Sequence, residues 1–309
     1  MRLPLEEAVL QTVAYADVFD FPLTLEEIHR FLVGIKASYS DVGRIFESDR
    51  LAPKHLERHD KFFTLPDRGG IVGVRQRRSA ASRFLWPAAV NYGRLIAQIP
   101  FVRMVAVTGA LAVNNSDDGD DIDYLIVTEP GRLWLCRSLV VSLVKLAARQ
   151  GVQLCPNYFL SENALALTEQ DLFTAHELLQ MAPISGSDVY KKMLHLNSWT
   201  ERFLPNANTP MSILYSTPQG YRLLSTMAEA VLRLPPSDWV EKWEMDRKIA
   251  KFGRRAAASP QRKLGENSEQ PNLIEVSFTP NRCKGHFYHH GSRALSAYET
   301  QLKHLAEES

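Results

Sequence analysis

Five aspartates (Asp117, Asp118, Asp120, Asp121 and Asp123) fall within seven positions, directly before the apolar run Tyr124-Leu-Ile-Val127. In a strand, residues i and i+2 project to the same side. Asp121 and Asp123 therefore share a face if the strand begins there, while Ile122 turns into the core. Two adjacent carboxylates repel each other unless a cation sits between them, and hard oxygen ligands suit Mg²⁺ or Mn²⁺. Asp117 and Asp118 read as turn residues; Asp120 points away from the pair if the strand has already started. Upstream, a strand over Phe101–Val107 ends at Thr108-Gly109 and a helix-permissive run, Ala110–Val113, follows. Glycine permits close backbone approach, and free N–H groups at a helix start bind phosphate. A cradle of Thr108, Gly109 and Ala110 facing metal-binding Asp121 and Asp123 has the parts for metal-assisted transfer of a nucleotidyl group.

Several elements must hold these residues in place. Strands over 101–107, 122–128 and 152–160, with an amphipathic helix from Pro130 to about Gln150, make a mixed α/β core at 99–165. Residues 1–98 precede it. Leu5–Ala16 has helical spacing, Thr24-Leu-Glu-Glu27 has the form of a capping box, and Ser40 or Asp41 can cap a third helix. Lys61–Leu65 and Ile71–Val74 then read as two strands of a hairpin, giving the element order of a winged helix. Residues 166–309 read as mainly helical, with helices over 169–181, 188–203, 219–234, 238–258 and 292–307 and one strand over Leu273–Phe278. The expected fold class is α+β, a small mixed-sheet core flanked by an N-terminal winged-helix-like domain and a C-terminal helical region.

Gly109-Ala-Leu-Ala112, with eleven residues separating Gly109 from Asp121-Ile-Asp123 and an apolar strand after it, resembles the signature of the DNA polymerase beta-like nucleotidyltransferase superfamily. The resemblance covers residues 99–162, about a fifth of the chain. It implies transfer of a nucleoside monophosphate from a nucleoside triphosphate to a hydroxyl or phosphate on a small molecule, RNA or protein, with Mg²⁺ or Mn²⁺ bound by Asp121 and Asp123 and pyrophosphate released. Two positions depart from the family pattern. Ala110 stands where the family has serine or glycine, and the third strand, Val152–Leu160, carries no acid. Asn157 occupies the third carboxylate's place and can offer a carbonyl oxygen but no base; Glu162 lies just beyond. A catalytically weak or inactive nucleotide-binding and regulatory protein is therefore the alternative.

Charge divides the first region. Residues 1–53 hold five Lys/Arg against nine Asp/Glu, and residues 54–98 hold nine against three. Arg75, Arg77, Arg78, Arg83 and Arg94 are either partners for the acidic half or phosphate contacts to nucleic acid through 54–98. The formal net charge of +1 excludes a chain that coats nucleic acid by bulk charge. Three dispersed cysteines without a CxxC exclude a disulfide framework and fit a reducing cytoplasm. The N-terminus has no signal-peptide run, and Arg137 and Lys145 interrupt Leu133–Ala148, so no membrane span is expected. Cys283, His286, His289 and His290 have partial zinc-ligand spacing with no second cluster to complete it. His176 reads as a core histidine, and Lys191 and Lys192 as remote phosphate candidates. The basic run 246–263, near Trp239 and Trp243, reads first as a solvated helix and second as an RNA surface.

Overall fold

The structure, a computed structural model, describes residues 4–47, 55–207, 219–258, 276–285 and 290–307. It is a mixed α and β fold with two sheets. The chain opens with α1 (Pro4–Asp17), β1 (Leu23–Thr24), α2 (Leu25–Arg30) and α3 (Tyr39–Glu47). The capping box forms as its residue types require: Glu27 N–H donates to Thr24 Oγ1 at 3.3 Å and Thr24 N–H donates to Glu27 Oε2 at 2.8 Å. Val9, Val13, Ile28, Leu32 and Val42 make the core beneath these helices.

The hairpin keeps one expected strand, within Lys61–Leu65, but takes its partner from the residues before it and not from Ile71–Val74. Its strands are β2 (Glu57–His59) and β3 (Phe62–Thr64), with β1 added to give the order β1-β3-β2. Ile71–Val74, expected as a strand, is the first turn of α4 (Ile71–Ala97). The β-branched residues favour a strand locally, but the helical spacing of Ala81, Ala89 and Ile96 continues the buried side set by Ile71. Arg75 reinforces this start. Its guanidinium bonds Glu27 at 2.6 Å and lies 4.0 Å from the centre of the Phe21 ring.

The second sheet has six strands in the order β7 (Ala182–Ser185), β4 (Val102–Val107), β5 (Ile122–Thr128), β6 (Leu154–Ser161), β9 (Arg282–Gly285) and β8 (Val276–Phe278). Only β5 and β6 run parallel, joined through α6 (Leu133–Arg149). The described residues beyond 166 are mainly helical, as expected, and also supply half of this sheet. Ala182-Pro-Ile-Ser185 is too short to show a period, and its proline is tolerated because β7 is an edge strand. Of the strand expected over Leu273–Phe278, residues 273–275 lie outside the described residues.

One face of the sheet (Val105, Val107, Ile122, Tyr124, Ile126, Phe159, Cys283) packs under α4, α6 and α10 (Pro235–Ala258). The other face (Met104, Ala106, Leu125, Val127, Leu160) packs under α7 (Leu172–Gln180) and α8 (Ser187–Leu196). Helices α9 (Gln219–Leu232) and α11 (His290–Glu307) follow in the C-terminal region, and α11 packs Tyr298 and Leu305 into the N-terminal core. Among the described residues no helix is long and apolar enough to cross a membrane.

Gly186 joins β7 to α8 at φ +84°, where an added Cβ would lie 2.2 Å from the backbone oxygen of Arg103 in β4. Gly186→Ala should lower the stability to urea by more than the roughly 1–3 kcal/mol of left-handed strain alone. Gly119, at φ +88° with nothing within 4 Å of its added Cβ, provides the comparison. Gly119→Ala should cost about 1 kcal/mol.

Candidate metal centre

The β4 ladder ends with Thr108 N–H donating to the Asp123 carbonyl at 3.0 Å. Gly109 then takes φ +64° and turns the chain into the single-turn helix α5 (Gly109–Ala112). The turn brings this backbone against the aspartate: a Cβ on Gly109 would lie 2.6 Å from Asp123 Oδ2. Glycine is needed here both for its φ and for the space. Ala110 is exposed beside it.

The acidic loop sorts its five carboxylates. Asp120 Oδ2 accepts from the Asp117 N–H at 2.8 Å, and Asp117 pairs with Arg78 at 2.9 Å. Asp117 and Asp120 thus shape the turn, and Asp118 is an exposed neighbour. Asp121 and Asp123 stand on the edge of the sheet face that α7 and α8 cover lower down, with Asp121 exposed and Asp123 half-buried.

Parallel pairing with β6 completes the group. Asp123 lies opposite Cys155, and Leu125 lies opposite Tyr158, so β6 carries one extra residue across Pro156-Asn157. Pro156 cannot donate to the ladder, which suits it to this bulge. The extra residue swings Asn157 toward the aspartates, where its Nδ2 donates to Asp123 Oδ1 at 2.8 Å. Ligand atoms of Asp121, Asp123 and Cys155 all lie within 4.8 Å of one another.

Burial, and then the charge of Asp121, push the Asp123 carboxyl up to about 7, against the opposing hydrogen bond from Asn157. Burial and the charges of Asp123 and Asp121 likewise hold the Cys155 thiol in its protonated form. Glu177 on α7 adds a further negative charge at Asp123. Glu177 itself is exposed, and the charge of Lys284 bears on its carboxylate. Lys284 projects from β9 over the Tyr158 ring at 5.7 Å. Asp123 therefore ionises only around neutral pH, well above the ordinary carboxylate range.

Thr108, Gly109, Ala110, Asp121, Asp123 and Asn157, singled out in the sequence, come together here. Cys155 and Glu177 were not anticipated. Cys155 is marked only by its position at the head of the strand that pairs with the aspartates, and Glu177 by nothing in its own helix. His176 is the core histidine expected: it stacks on Tyr15 at 4.2 Å, and burial drives its imidazole down to about 3. His286 and His289 lie outside the described residues. Cys283 is buried on the sheet face opposite Asp123. Lys191 and Lys192 are exposed on α8. Arg68, Arg75 and Arg78 pair with Asp17 and Asp20, with Glu27 and with Asp117, the intramolecular role open to the basic segment 54–98. On α10, Arg247 and Lys248 both pair with Glu244.

No family model, curated protein or solved structure gives a significant match to the chain.

In the metal-free protein the fold favours protonated Asp123. Its contribution to stability is present below the unfolded carboxylate value, near 4, and is lost as pH rises through about 7. Asp123→Asn in chelator-treated protein should therefore stabilise at about pH 8, on the order of 1–3 kcal/mol, with the gain shrinking toward pH 4. Thermal melts of both proteins across this range check the sign.

Proposed function

We propose that the chain is a metal-dependent nucleotidyltransferase that moves a nucleoside monophosphate from a nucleoside triphosphate to an acceptor hydroxyl or phosphate. The observation that carries this reading is the meeting of Asp121 and Asp123 with the Gly109 turn, whose missing side chain lets the backbone pack directly against Asp123 Oδ2. A divalent cation held by the two aspartates would bridge phosphate oxygens and offset their charge. The backbone N–H groups of Gly109 and Ala110 would receive the phosphates beside Thr108, whose own N–H is taken by the Asp123 carbonyl. Asn157 fixes the Asp123 carboxylate through its 2.8 Å hydrogen bond. The acceptor oxygen attacks the α-phosphorus, the bond to the β-phosphate oxygen breaks, and pyrophosphate leaves. Glu177, exposed on α7 and acting on Asp123 through its charge, is suited to take the acceptor's proton.

One observation favours a second reading. The residues of β6 that face the aspartates are Cys155 and Asn157, and neither is an acid. That suits a nucleotide-binding regulatory protein without turnover. Its N-terminal unit, three helices with a three-stranded sheet, would be a winged-helix-like module reaching nucleic acid through exposed Arg77 and Arg83.

Each nucleoside triphosphate with Mg²⁺ or Mn²⁺ separates the readings when melting temperature and pyrophosphate release are followed together, over a panel of hydroxyl and phosphate acceptors. Release should fall by at least about 100-fold in Asp121→Asn/Asp123→Asn, the scale on which loss of one electrostatic stabiliser acts. A melting shift with no release on any acceptor selects the regulatory reading. Neither shift nor release sinks both.

A further inference from the structure

The thiol of Cys155 bears on which cation this centre takes. We infer that Asp121, Asp123 and Cys155 form a mixed oxygen and sulfur site for a zinc-class divalent ion, with the Cys155 sulfur as a ligand and magnesium disfavoured. The inference rests on the metal-binding part of the function proposed above and is independent of any turnover.

Three features of the structure carry it. First, register places Cys155 directly opposite Asp123, and the ligand atoms of Cys155, Asp121 and Asp123 are mutually within 4.8 Å. Ligands about 2.0–2.3 Å from a tetrahedral zinc ion lie roughly 3.5 Å apart, so side-chain rotation can close what remains. Second, the carboxylate between the other two groups is already oriented. Asn157 holds Asp123 Oδ1 at 2.8 Å, and Oδ2 packs against Gly109, where an added Cβ would lie 2.6 Å from it. Hydrogen-bonded support of this kind is what orients metal ligands. Third, the other two cysteines do different work. Cys136 is buried with its thiol directed to the Pro100 carbonyl at 3.3 Å, and Cys283 is buried in the opposite face. Cys155 is the one thiol that is both half-buried and beside carboxylates.

The chemistry then selects the ion. Magnesium requires a near-octahedral shell of oxygen ligands at about 2.0–2.1 Å, and a sulfur in that shell is a poor match. Zinc, cobalt and cadmium accept sulfur and oxygen together. On coordination the thiol proton passes to solvent and the sulfur binds as thiolate, so the site carries three negative ligands against two positive charges. Three protein ligands leave a fourth position open, as catalytic sites do and closed structural sites do not.

Cobalt(II) titration of the full chain provides the test, because a thiolate ligand produces a sulfur-to-cobalt charge-transfer band. The band should appear in the native protein and be absent from Cys155→Ser and from Asp121→Asn/Asp123→Asn. Zinc affinity should fall at least about tenfold in Cys155→Ser, with magnesium affinity unchanged. No band in the native protein, or a band that survives in Cys155→Ser, overturns the inference. If Cys155→Ser does not fold, alkylation of native Cys155, read by peptide mass spectrometry, replaces it. Zinc should slow that alkylation at least about tenfold and magnesium should not; equal rates with and without zinc overturn the inference. Pyrophosphate release driven by magnesium without a cobalt–thiolate band would sink the mixed site and leave the transferase standing. A band without release under any ion would do the reverse.

Discussion

The parallel pairing of β5 with β6 is the constraint on which the centre depends. It sets Asp123 opposite Cys155, and the added residue at Pro156-Asn157 lets Asn157 reach the same carboxylate. The crossover through α6 makes parallel pairing possible. Its Trp134, Leu133 and Val140 are fully buried on the far face of the sheet, so the hydrophobic gain of covering that face fixes the register that the near face uses.

The near face is closed by a helix that belongs to two cores. Leu172, Ala175 and Leu179 of α7 pack into the N-terminal unit, and Leu178 packs on the sheet. That dual attachment is what brings Glu177 near the aspartates. The acidic loop is also tied to the N-terminal unit, through Arg78–Asp117 at 2.9 Å and through Asn115 Nδ2 donating to the Phe19 carbonyl at 3.2 Å. At the other end of β4 and β5, Arg103 lies between Glu129 and Glu229, and Arg233 joins them from the turn just after α9. The charge of that cluster is balanced pair by pair. Among the described residues no cation pairs with Asp121 or Asp123, in contrast to that cluster.

Much of this was legible along the chain. The capping box at Thr24–Glu27, strand Ile122–Thr128, the glycine turn at Gly109 and the Asp121/Asp123 pair all rest on near-neighbour rules: a side chain reaching three residues, a period of two, a backbone angle only glycine adopts readily. Ile71–Val74 failed under the same rules, because β-branched residues favour strands until a long helical face and the Arg75–Glu27 pair outweigh them. Strands β7 and β9 were missed because four residues show no period, and each is stabilised by a partner far away in sequence.

The sequence by itself determined the chemistry on offer: which residues carry carboxylates, where the backbone can bend sharply, and that Asp121 and Asp123 share a side. Only the tertiary structure decided what those carboxylates meet. Cys155 joins them through inter-strand register, and Glu177 through a helix anchored in another core, and neither relation leaves a mark in local spacing. Local rules act through a few bonds of one chain segment, whereas register and helix docking are set by apolar area buried between segments distant in sequence.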